Sequence, residues 1–252
     1  MLKTRLIPAL VLRDGTVVRS VNFKHTNVIH WKPLTAVDFF NKWAVDEIVL
    51  LDVSRDRAQR ERFYEIIEAL SRKCFVPLTV GGWVTSVDEV RRLLRLGADK
   101  VTINTEAVRR PAFITECARV FGAQCMVVAV DVRRDPDGTP VVWIDRGAER
   151  TTWNPVAWAR EAEARGAGEI FLTSIDREGS GLGYDLDLVR VVADAVTIPV
   201  VAFGGAFTWR HLVDGVTIGG ADAVSAANVF HFTEQSTRKA KEFMRNSGID
   251  VR

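Results

Sequence analysis

Eight short runs rich in valine, isoleucine and leucine recur along the chain, at 5–12, 47–53, 76–80, 100–104, 126–131, 169–174, 199–203 and 223–227. They lack strict polar alternation, as expected of strands covered on both faces. Longer segments of helical period separate them, and such crossovers are what parallel strands require. Eight consecutive βα units predict a closed parallel barrel rather than an open sheet. The crossovers have legible ends. Ser86 followed by Glu89 has the pattern of a capping box, and Gly97 stands where that helix should stop. Asn154-Pro155 supplies an N-cap and a first-turn proline, with Gly166 closing the helix. Pro111 opens a further helix and Gly122 follows it. The sequence predicts an α/β protein, a single (β/α)8 TIM barrel spanning 1–252 as one domain.

The two halves of the chain resemble each other. Asp46-Glu47-Ile48 matches Gly168-Glu169-Ile170, and Gly97-Ala98-Asp99 is echoed by Gly220-Ala221-Asp222. Val76-Pro77 running on to Gly81-Gly82 matches Ile198-Pro199 running on to Gly204-Gly205. The offset stays near half the chain length, and an internal half-barrel repeat is the simplest explanation.

A formal net charge of +2 gives no basis for nucleic-acid or membrane-surface binding, and no apolar stretch is long enough to span a bilayer. Cys74, Cys117 and Cys125 are odd in number and lack redox or metal-ligand spacing, which predicts reduced thiols in a cytoplasmic protein. His25, His30, His211 and His231 show no metal-ligand spacing either. Neither a metal nor a cofactor is expected. Trp158 and Trp209 read as helix–barrel packing.

Barrels of this kind place chemistry at the C-terminal ends of their strands. Gly81-Gly82 and Gly204-Gly205 fall there after the third and seventh runs, and Asn104-Thr105 and Ala227-Asn228 after the fourth and eighth. Glycine lets backbone N–H groups approach an anion, so two stations half a barrel apart suit a substrate with two phosphates or similar anions. Tight βα turns are the competing explanation, stronger for the first pair. Asp131 ends the fifth run, where a carboxylate can act as general acid or base. Ala129-Val130-Asp131 aligns with Ala9-Leu10-Val11, each followed by an Asp-Gly, so a partner acid for Asp131 would stand at position 11. Val11 can neither take nor give a proton.

These residues resemble the cyclase subunit of imidazole-glycerol-phosphate synthase over almost the whole chain. The resemblance is most specific at 97–105, reading GADKVTINT, and at 172–177, reading LTSIDR. It is also close at 46–52, 80–82, 127–131, across 166–179 as a whole, and at 204–206 and 221–232. It implies a glutaminase partner on the N-terminal barrel face and passage of ammonia through the barrel to a phosphorylated substrate. The four charged residues of the family's gate match Arg5, Glu47, Lys100 and Glu169, each near the start of a strand. By the same resemblance Asp131 is the second catalytic aspartate. The resemblance also implies that Arg19, Gly82, Asn104, Thr105, Thr173, Asp176, Gly179, Gly204, Gly205, Ala227 and Asn228 are substrate or phosphate contacts.

The mouth departs from the family at four places. Val11 replaces the first catalytic aspartate, Trp83 the third glycine of the first phosphate loop, Trp31-Lys32-Pro33 a Gly-Asp-Pro stretch, and Arg19 a loop lysine. Losing one of two acid–base groups typically costs about 10²–10⁴ in rate. Ile7 to Leu12 and Arg19 to Lys24 are similar instead to a branch associated with acetamidino modification of surface sugars. There the barrel and its glutaminase are thought to supply a separate amidotransferase. Three readings follow: such a paralogue, a histidine-pathway cyclase working with Asp131 alone, or a silent barrel that activates a glutaminase.

Overall fold

The apolar runs become strands whose hydrogen bonds close on themselves. The structure, a computed structural model, describes residues 3–30, 32–42, 45–231 and 237–252. Strand β1 (Arg5–Arg13) leads into an antiparallel hairpin, β2 (Thr16–Val21) and β3 (His25–His30), then helix α1 (Pro33–Lys42). Then come β4 (Ile48–Asp52), α2 (Arg60–Ser71), β5 (Leu78–Gly81), α3 (Val87–Arg95), β6 (Lys100–Ile103), α4 (Thr105–Arg109) and α5 (Ala112–Phe121). The second half runs through β7 (Met126–Arg134), β8 (Pro140–Ile144), β9 (Glu149–Arg150), α6 (Pro155–Ala164), β10 (Glu169–Ser174) and α7 (Leu186–Ala193). It ends with β11 (Val200–Phe203), α8 (Trp209–Thr217), β12 (Ala223–Ala226) and α9 (Thr237–Asn246). Strands β1, β4, β5, β6, β7, β10, β11 and β12 pair in that order, all parallel, and β12 returns to β1. This ring is the (β/α)8 barrel.

Alternation along the strands sorts side chains into two cores. Ile7, Ala9, Val49, Val127, Phe171, Val201 and Phe203 fill the barrel interior. Leu6, Leu10, Leu50, Val128 and Leu172, one position along, pack outward with the helices. Trp158 is fully buried in that outer layer, and Trp209 stacks on Phe230 at 6.2 Å.

The half-chain repeat has a physical counterpart. Asp99 Oδ2 accepts from Leu78 N at 2.8 Å, and Asp222 Oδ2 accepts from Val200 N at 2.9 Å. Ile48 N donates to Pro77 O and Ile170 N to Pro199 O, both at 2.9 Å. Each aspartate pins the start of the preceding strand, the same bond made twice half a barrel apart.

Most helix ends match their sequence signals. Asn154 Oδ1 accepts from Val156 N and Ala157 N, and Gly97 ends α3 at φ 104°. The capping box is one-sided. Ser86 Oγ accepts from Glu89 N at 3.2 Å, but the Glu89 carboxylate reaches one residue further back, to Thr85 N at 2.7 Å. Pro111 stands just before α5 rather than inside its first turn. The hairpins β1–β2–β3 and β7–β8–β9 are additions to the eight-run pattern, and both hang over the barrel mouth.

Candidate active site at the barrel mouth

Asp131 projects into the barrel from β7, in register with Thr173 of β10. The strand does not end there. It continues to Arg134 because Asp131, Val132, Arg133 and Arg134 pair with β8. Asn104, just after β6, donates its Nδ2 to Asp131 Oδ2 at 3.0 Å. The carboxyl keeps a partial opening to the mouth, but dense walls surround it. Desolvation pushes its pKa up to about 7, against a smaller downward pull from the Thr173 hydroxyl. A carboxyl titrating near neutrality is suited to giving and taking protons.

Val11 holds the equivalent place on β1, paired with Leu51 as Asp131 is paired with Thr173. Three strands lie between β1 and β7 in either direction round the ring of eight, so Val11 faces Asp131 across the mouth. It is 8% exposed, an apolar wall where a second acid would stand.

Where the sequence predicts the second anion station, the mouth is open. A cavity of about 360 Å³ is lined by Arg19, Gly179, Gly204, Gly205 and Ala227, all expected from the sequence. Gly204 and Gly205 have φ of 99° and 96°, where a side chain would be strained, and a Cβ on Gly205 would lie 2.3 Å from Gly183 O. The sequence reading did not place Glu178, Ser180, Gly181, Phe203, Ala206, Phe207 and Ala226 at the site, and they complete the lining. The Glu178 carboxylate accepts from Ser20 Oγ at 2.8 Å and from Phe23 N at 3.5 Å, tying the β2–β3 hairpin to the cavity edge. Burial is the largest influence on Glu178 and raises its pKa. Asp176 is not among the lining residues. Its Oδ2 accepts from Arg134 N at 2.8 Å, which fastens the loop after β10 to the extended end of β7. Of Asn228 only the backbone is described; it opens a short 3-10 turn, Asn228–His231. Trp31 and Phe232 lie outside the described residues.

The first station differs. Gly82 has φ 119°, and a Cβ there would lie 2.4 Å from Asp52 O, so backbone packing alone requires this glycine. Thr105 Oγ1 accepts from Asp145 N at 3.0 Å. Trp83, half buried, lies under the Arg146 guanidinium at 4.5 Å.

At the opposite end the four predicted floor residues meet. Arg5 Nη1 bonds Glu47 Oε2 at 2.9 Å, and Arg5 Nη2 bonds Glu169. Lys100 Nζ lies 3.0 Å from Glu47 Oε2 and 2.9 Å from Glu169 Oε2. Thr79 Oγ1 adds a bond to Glu47 at 2.6 Å. Glu47 stands one residue before β4 rather than inside it. Burial works against the Arg5 charge, but Glu169 and Glu47 more than offset it and hold its pKa above the ordinary value.

A closed parallel barrel with a glycine-lined cavity and a raised carboxyl at its C-terminal mouth places a candidate site where (β/α)8 barrels carry their chemistry. The family model described as histidine biosynthesis protein matches residues 5–236, and the chain belongs to that family. Among the described residues no helix is long and apolar enough to cross a membrane.

Proposed function

We propose that this barrel is a synthase subunit that receives ammonia from a glutaminase partner on its floor face for amidation of a phosphorylated sugar. Acetamidino-sugar formation is the specific form of this reading. One contrast carries it: a complete charged ring closes the floor, while at the mouth the apolar Val11 stands opposite Asp131 where a second acid would be. The ring is what the family's ammonia gate would need, whereas the Val11 wall removes half of what its ring-closing chemistry would need. Ammonia is itself the nucleophile, so an amidation needs only one group to protonate a departing or carbonyl oxygen and to collect the proton shed by nitrogen. Asp131, titrating near 7, suits both tasks. The cavity at Gly204 and Gly205 supports a phosphate-bearing substrate.

The test is turnover of the family's phosphoribulosyl-formimino substrate by the purified barrel with saturating ammonium, beside Val11→Asp. The expected result is no wild-type turnover, and robust turnover would overturn the reading in favour of a histidine-pathway cyclase. With the glutaminase partner present, Arg5→Ala is expected to change glutamine-dependent incorporation of ¹⁵N relative to ammonium-dependent incorporation. Equal, unchanged rates would remove the gate.

A further inference from the structure

The repeat offers two anion stations, but the chain occupies one of them itself. Trp83 takes φ 57°, a conformation natural to glycine, and so keeps the turn of a glycine loop while adding an indole to it. Arg146 comes from the turn between β8 and β9, where Asp145 and Arg146 both have positive φ, at 48° and 58°. Its guanidinium covers the Trp83 ring, and its Nη1 crosses to Ser54 O at 3.0 Å, beyond the end of β4. The same turn places Asp145 N on the Thr105 hydroxyl. The β8–β9 turn thus spans the mouth from β6 to β4 and is anchored at both ends.

The arginines here are committed to protein partners. Arg146 Nη2 bonds Asp145 Oδ1 at 2.6 Å, Arg57 faces Glu89 at 3.8 Å, and Arg60 bonds Tyr64 Oη and Gly82 O. Around Trp83, three of the buried donors that find no acceptor among the described residues are Trp83 Nε1, Arg146 Nε and Arg60 Nη2. Isolated buried N–H groups suit single hydroxyl or water oxygens.

We propose that Trp83 and the Asp145–Arg146 turn plug the first station, so that the substrate carries one phosphate-like terminus, seated at Gly204–Gly205, and a neutral hydroxyl-bearing end toward Trp83. This rests on the reading of the mouth as a phosphorylated-substrate site and narrows it to singly phosphorylated compounds. Trp83 and Arg146 are then specificity determinants that reject a substrate phosphorylated at both ends.

The test is crystallographic, with inorganic phosphate soaked into crystals of the wild-type chain and of Trp83→Gly/Arg146→Ala. The glycine suits the φ at position 83, so the backbone turn is retained. The wild type is expected to hold one ion, at Gly204–Gly205, and the variant a second ion beside Gly82 and Thr105. If the double variant does not fold, Arg146→Ala alone is soaked, with a partly occupied second ion expected. In solution, the affinity ratio of a pentose bisphosphate to its monophosphate should rise at least about tenfold in the variant. A wild-type ion at the first station, no ion at the second, or no gain in the variants would each overturn the inference. Ion positions do not depend on ammonia chemistry. A phosphate at the first station would leave ¹⁵N incorporation untouched, and failed incorporation would leave the ion positions untouched.

Discussion

Replacing Asp131 with asparagine should make the protein more stable above neutral pH while removing its acid–base chemistry. The folded-state pKa of this carboxyl is about 7, against an ordinary value of 3.8. An unfolded chain releases this proton from about pH 4 upward, whereas the folded chain holds it until about pH 7, so stability falls across that window and levels off above it. A gap of about three units at about 1.4 kcal/mol each sets an upper limit near 4 kcal/mol. The partial opening at the mouth lowers this, and we expect about 2–4 kcal/mol. Asparagine carries no charge to desolvate and keeps an oxygen for Asn104 Nδ2, now at 3.0 Å from the carboxylate. Urea unfolding of both proteins between pH 4 and pH 8.5 measures the difference. The two curves should coincide near pH 4 and diverge to their full separation by pH 7.5, with a Tm gain on the order of 10 °C. A difference independent of pH would refute the argument, because it would mean that desolvation of the charged carboxylate is not what the mouth imposes. Turnover by the same variant should fall by about 10²–10⁴.

Three further perturbations test the scaffold. Lys241 Nζ bonds Asp46 Oδ1 at 2.6 Å with both side chains buried, and Asp46 also accepts from Leu6 N at 2.9 Å. Lys241→Ala should therefore cost about 3–5 kcal/mol in denaturant unfolding. Trp158→Ala should cost about 3–5 kcal/mol, and Trp158→Phe should recover most of it, because the buried indole Nε1 has no acceptor among the described residues. Gly179 has φ 71°, and an added Cβ would lie 2.2 Å from Ser20 O. Gly179→Ala should loosen the β2–β3 hairpin, seen as faster amide exchange at residues 16–30 with little change in the barrel strands.

All eight barrel strands were legible because apolar content and length identify buried parallel strands without further context. Their ends shifted by one to three residues where backbone pairing, not side-chain character, decides, as at Val76 and Pro77, which precede β5, and at Arg134, which ends β7. The two hairpins were missed although their signals were present. Asp14-Gly15 and Asp137-Gly138 sit in tight turns, with φ of 52° and 75° at the first pair and 87° at Gly138. Asp-Gly between β-branched residues is a hairpin signal, and it was read only as a mark of the repeat. Asp131, the floor charges and the glycines of the second station could be placed because their roles follow from strand ends and from the resemblance. Arg146 could not. It reaches Trp83 through a left-handed turn at two non-glycine residues, and no local pattern distinguishes that turn from ordinary surface loop.

The floor ring has a consequence for how this molecule can change over time. Each carboxylate touches both cations and each cation both carboxylates, so the four charges cancel only as a complete set. Losing any one leaves an uncompensated charge in a nearly closed space, typically a cost of about 3–5 kcal/mol. A single substitution is therefore a step uphill, and only a paired exchange returns to level ground. At the mouth, the apolar Val11 carries no charge that another group must balance. The barrel can thus try new chemistry at its mouth one residue at a time while its floor stays locked.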